Sequence, residues 1–192
     1  MRRRAILLAV LLGAVPAAAQ ELAMHRAPGG GFTLRAPADW QAVPAQAGHV
    51  DLVLRTPQGH PHGPADCSAA HRAEPALRAL TQQQLDAAAA TTPMTEAEAR
   101  ESLGSDGPQA IILDRRIMRI GGLPAQAFGY EVMTPVDGGR IGARGEVVMV
   151  HRPQGVTALN CTALGRDLAG ARRTFAAWRP AIEGILGSLA FD

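Results

Sequence analysis

The segment of this chain with the clearest chemical potential is His60-Pro61-His62. Two imidazoles two residues apart in a Pro/Gly loop can share one transition-metal ion. Asp66, Cys67 and His71 follow closely, so the metal reading takes His60, His62 and His71 as ligands, with copper or zinc as the ion. The competing reading is a solvated loop whose histidines face water. His25, His49 and His151 are scattered and form no local set.

Other chemistries find little support. There is no Lys among the 19 basic residues, which excludes Schiff-base chemistry and a phosphate-loop lysine. The four serines, Ser68, Ser102, Ser105 and Ser188, lie outside any G-x-S-x-G elbow, and no H-E-x-x-H is present. Gly29-Gly30-Gly31 precedes a strand pattern instead of linking a strand to a helix, so it reads as a turn and not as a phosphate cradle. The expectation is a protein without enzymatic activity.

The cysteine count is two, Cys67 and Cys161, and neither belongs to a C-x-x-C pair. Their reading depends on the compartment, which the N-terminus supplies. Arg2-Arg3-Arg4, an apolar run from Ala5 to Val15 and an Ala17-Ala18-Ala19 end describe a cleavable secretory signal, too short to span a bilayer. Cleavage after Ala19 delivers the chain from Gln20 onward to the periplasm or the exterior. There Cys67 and Cys161 are expected to form a disulfide. Closing a loop of about 95 residues is worth up to ~4.6 kcal/mol on the chain-entropy model.

Processing also removes most of the apparent basicity. Three of the 19 basic side chains lie in the leader, leaving the rest close to balance with the 17 acidic ones, so nucleic acid is not an expected partner. No second apolar stretch reaches membrane-spanning length, and no Cys adjoins the cleavage site to carry a lipid. The organisation expected is a leader over residues 1–19 and one domain over 20–192.

Strand patterns cover Phe32 to Arg35, Val50 to Arg55 and Cys67 to Arg72, the last weakened by its alanines. Ala76 to Ala90 reads as a helix with Leu77, Leu80 and Leu85 as its stripe. Thr91-Thr92-Pro93 stops it, and Thr95 with Glu98 forms a capping-box pattern for a second, short helix. Ile111 to Ile120, Pro124 to Met133, Ile141 to Arg152 and Val156 to Leu164 read as strands. Gly121-Gly122 and Asp137-Gly138-Gly139 are the turn signals between the first three. Asp167 is suited to cap a closing helix, and Pro180 to open a further one. Phe32, Trp40, Phe175 and Trp178 are expected as an aromatic core and not as a ligand box. Strands joined by hairpins and kept apart from helices argue an α+β fold on a mainly antiparallel sheet.

The run Phe32-Thr33-Leu34-Arg35-Ala36-Pro37-Ala38-Asp39-Trp40 resembles the opening of PsbP-like and DcrB-like proteins (the Mog/PsbP-like fold). The closing series Phe175, Trp178, Ile182, Ile185-Leu186, Ser188 and Leu189, and the turn Gly122-Leu123-Pro124-Ala125, resemble the same family. The resemblance implies a three-layer sandwich, an antiparallel sheet with helices on both sides. It also implies a non-enzymatic role, since such proteins include extrinsic subunits of photosynthetic complexes, a binder of a small GTPase and bacterial envelope proteins. The function expected is therefore a soluble periplasmic protein that binds or assists a partner in the cell envelope, with a metal-binding protein using the His60/His62 loop as the alternative.

Overall fold

The computed structural model describes residues 21–29, 31–45 and 50–192; the leader expected over residues 1–19 and His49 lie outside them. Ten strands and three α-helices follow in the order β1 (Leu22–Arg26), β2 (Phe32–Pro37), β3 (Gln41–Val43), β4 (Leu52–Arg55), β5 (Ala65–Arg72), α1 (Gln82–Thr91), α2 (Glu96–Ser102), β6 (Ile111–Ile120), β7 (Leu123–Val136), β8 (Gly139–Arg152), β9 (Gly155–Gly165), α3 (Leu168–Gly187) and β10 (Ala190–Phe191). Seven strands make one antiparallel sheet in the order β3-β4-β5-β9-β8-β7-β6, and β1-β2-β10 make a small second sheet. The α+β class, the mainly antiparallel sheet and the helices on both of its faces are as expected from the sequence.

Alternation along the strands assigns each side chain to a face. Ala65, Cys67 and Ala69 of β5, Leu159, Cys161 and Ala163 of β9, and Val148 and Val150 of β8 point to the face covered by α3 and the small sheet. There Phe32, Trp40, Phe175 and Trp178 are all buried, joined by Ile182, Ile185 and Leu186 of α3. The opposite face carries a smaller cluster of Phe128, Tyr130, Val132, Ala143 and Val147 under Ala99 of α2. Gly145 stands opposite Tyr130, and a Cβ there would lie 2.5 Å from its ring, so the missing side chain makes room for the phenol.

Cys67 and Cys161 face each other across the β5–β9 ladder and are joined by a disulfide. Among the described residues this ladder alone links the β3-β4-β5 half of the large sheet to the β9-β8-β7-β6 half.

Two helical expectations change. Ala76 to Ala90 is not one helix: Pro75–Ala79 form a 3₁₀ turn, Leu80 is extended, and α1 starts afresh after Thr81. Thr81 and Gln84 form a capping box, which satisfies the orphan N–H groups of a new helix start and so favours the break. Of the three leucines only Leu85 is buried. Pro180, by contrast, opens no new helix; it lies inside the continuous α3. It sits on the exposed side beside Ala176, whose carbonyl loses its helical partner, while Phe175, Trp178, Ile182 and Ile185 hold the buried stripe together across it. Thr95/Glu98 and Asp167 cap α2 and α3 as expected. The Gly121-Gly122 hairpin has φ of 56° and 83°, the paired left-handed geometry of a two-residue turn.

Thiol titration under denaturing, non-reducing conditions should find no reactive cysteine, and two after reduction. Reduction should lower stability by up to ~4.6 kcal/mol in chemical unfolding. Two reactive thiols before reduction would refute the pairing.

Candidate functional site

The His60/His62 loop connects β4 to β5 and is held by its own turns, His60 N donating to Pro57 O (3.2 Å) and Gly63 N to His60 O (2.9 Å). It lies on α3. The His60 ring is centred 4.4 Å from the Trp178 ring, and the Trp178 indole N–H donates to Gly63 O at 3.0 Å. Trp40 meets Trp178 edge-on at 5.3 Å, so the loop caps the aromatic core.

The two imidazoles are 5.0 Å apart, but the His62 backbone N–H donates to His60 Nδ1. A neutral ring that accepts at Nδ1 carries its proton on Nε2, leaving no free lone pair for a metal. Ligating histidines normally do the reverse and donate from the second nitrogen. His71 stands apart from the pair, about seven strand residues and roughly 20 Å beyond the loop along β5. Its ring meets Thr157 Oγ1 at 3.1 Å and its backbone N–H donates to Asp51. Cys67 is consumed by the disulfide. Among the described residues no three His, Cys, Asp or Glu side chains gather as a metal site. A metal on this loop would require His60 to release its hydrogen bond and turn.

Two adjoining recesses lie on the other face of the sheet. Here α1 and α2 cover β7 and part of β8 but leave β5 and β9 open, and the recesses, of about 390 Å³ and 850 Å³, share Arg72, Ser102, Met149 and Val156. Strand register explains the floor. Ala70, Ala158, Met149 and Gln126 are successive partners across β5, β9, β8 and β7, forming one row across the sheet. Arg72, Val156 and His151 form the next row. The two alanines keep the floor low where larger residues would fill it.

One wall is α2 with Leu103, and the other runs from Arg72 to Glu74. Gln126 fixes the helical wall. Its amide donates to Ala89 O (2.8 Å) and Thr92 O (3.0 Å), and its carbonyl accepts from Met94 N (2.8 Å). Two hydroxyls on this face are already engaged. Ser102 donates to Ala99 O, and the buried Tyr130 hydroxyl meets Thr162 Oγ1 at 2.8 Å, with burial raising the phenol's pKa. Burial lowers the pKa of His151. Glu98 is held below the usual carboxylate range by the Thr95 backbone N–H and hydroxyl. The rim carries Glu74, Glu98 and Glu101 against one cation, Arg72.

A charged network occupies the α3 face near the start of that helix. Arg172 grips Glu131 through two bonds of 2.8 and 2.6 Å, and Arg144 approaches the same carboxylate at 3.9 Å while its guanidinium lies 4.5 Å over the Phe175 ring. Arg116 bridges Asp114 and Glu146. Neither network nor groove was evident from sequence spacing, because the partners are joined only by the sheet. The sequence held one clue, the small Ala70 on the groove side of β5.

No family model matches the sequence, and no curated relative is found by sequence. Solved structures do match. Cyanobacterial PsbP (CyanoP) from Synechocystis sp. PCC 6803 superposes with a TM-score of 0.57 at 12% identity, covering 94% of this chain and 99% of that one. LpqN, involved in cell envelope biogenesis of Mycobacterium tuberculosis, gives 0.47 at 15% identity over 89% and 90%. A protein of unknown function from Pseudomonas aeruginosa, described as a putative regulator, gives 0.41 at 18% over 84% and 94%. The chain has the PsbP-like fold, as its opening and closing motifs suggested.

Two expectations follow from the geometry. Elemental analysis of untagged protein should find no stoichiometric copper or zinc, and His60→Ala with His62→Ala should leave the metal content unchanged; bound metal lost in that double variant would restore the loop as a metal centre. Glu131 is held below the ordinary glutamate range chiefly by its Arg172 hydrogen bonds. A depressed folded value means that its stabilisation is complete above the unfolded value of about 4.3 and is lost as pH falls through the folded one. Glu131→Gln should cost about 2 kcal/mol at neutral pH. In urea unfolding, its deficit against the parent should shrink below about pH 4; a deficit independent of pH would exclude ionised Glu131 as the stabilising group.

Proposed function

We propose that this chain is a non-catalytic binding domain of the cell envelope, acting outside the cytoplasm on a protein partner that docks in the groove over β5, β9 and β8. The observation that carries the reading is the groove itself: two adjoining recesses over a floor of small side chains, with the α1–α2 wall pinned by Gln126. A preformed recess of this kind is the usual form of a binding site. The Ser102 hydroxyl in it donates to its own helix, at Ala99 O. No helix among the described residues is long and apolar enough to cross a membrane. The Cys67–Cys161 disulfide fits an oxidising compartment, in accord with the sequence of the leader.

Site-directed photocrosslinking in intact cells tests this. A photoreactive residue at Met149 or Ser68 should give one specific adduct, identified by mass spectrometry, while the same probe at exposed Arg173 on α3 should not. Identical adduct patterns from the groove and from α3, or none from the groove, would remove the groove as the partner site.

A further inference from the structure

The groove has a size, a depth profile and a charge, and together these define what it can hold. Its floor crosses four strands along the row Ala70, Ala158, Met149 and Gln126, so three inter-strand spacings of about 4.8 Å give a length of roughly 14 Å. That matches about four residues of extended chain at 3.3 Å each. Ala70 and Ala158 make the β5–β9 end the deep part, and Val50, Val156, Leu103 and Met149 surround it with apolar surface. An apolar side chain of the occupant fits there.

The rim adds polarity of one sign. Glu101 and Glu98 lie three apart on the α2 wall, and Glu74 stands beyond Arg72 on the opposite side. No arginine lies within ion-pair distance of Glu74, Glu98 or Glu101 among the described residues. Glu98 spends one oxygen on the cap of α2, leaving the other open. By contrast, Glu96 is matched by Arg100 and Glu131 by Arg172. Unmatched carboxylates flanking an apolar recess favour a cationic occupant and repel an acidic one.

We infer that the groove receives a short extended segment of a partner protein in which basic residues alternate with apolar ones. The apolar side chains fill the space above Ala70 and Ala158, and the basic ones reach Glu74 and Glu101. This rests on the groove being the partner site. If groove-sited crosslinks recover no partner, that reading fails; if they recover one through an acidic segment, only this inference fails.

The direct test titrates the folded mature protein with blocked five-residue peptides, followed by amide-shift NMR. A peptide alternating leucine and arginine should shift the amides of Ala70, Ala158 and Met149, and its binding should weaken with added salt. Glu74→Gln with Glu101→Gln, which spares the capping Glu98, should raise the dissociation constant about fivefold. Ala158→Trp should abolish binding by filling the deep end; Ala70→Leu is the independent blocking variant should the tryptophan unfold the chain. Equal binding of the leucine–glutamate peptide, or wild-type affinity in a folded blocking variant, would overturn the inference. So would displacement of the peptide by decanoate combined with no effect of the charge variants, which would mark the recess as an acyl-chain site.

Discussion

Everything distinctive about this molecule depends on the β5–β9 ladder. Among the described residues it alone joins the two halves of the seven-stranded sheet, and the Cys67–Cys161 disulfide lies within it. In an antiparallel pair a slip of one residue would send every side chain to the opposite face. A covalent bond between directly opposed residues forbids that slip. With the register held, Ala65, Cys67 and Ala69 must face α3, and Ser68, Ala70 and Arg72 must face the groove.

The two faces are then covered unequally, and the inequality produces the site. On one side the twenty-residue α3 carries a continuous stripe of Phe175, Trp178, Ile182 and Ile185, enough to close the core with the small sheet. On the other, α1 and α2 are short and bury little, with Leu85 and Ala99 as their buried residues. They stay in place through capping boxes and through Gln126, a buried amide whose donor and acceptor atoms are all engaged. A buried polar group so satisfied specifies position more than it adds stability. The uncovered β5–β9 strip is what two short helices cannot reach.

The fold was more legible than the site. Strands β6 to β9 could be read within a few residues because β-branched runs and Gly-rich turns are local signals. The same held for the caps at Thr95 and Asp167. The helix over Ala76 to Ala90 misled because its alanines favour helix throughout, whereas the Thr81/Gln84 cap decides where one starts. Pro180 misled in the opposite sense: its local cost is outweighed by burial of residues on either side. The His60/His62 spacing is legible in the sequence, whereas the packing of that loop on Trp178 is not.

By itself the sequence determined local matters: most of the long strands, the hairpin turns, the caps at Thr95 and Asp167, which aromatics are core, and that its two cysteines should pair. These follow from side-chain periodicity, backbone preference and redox chemistry, none of which needs a third dimension. Only the tertiary structure decided that Ala70 lies beside Ala158, Ala158 beside Met149, and Glu131 between Arg172 and Arg144. Such neighbours are set by strand order and register across the sheet. Two alanines distant in sequence, Ala70 and Ala158, became the floor of a groove for that reason alone.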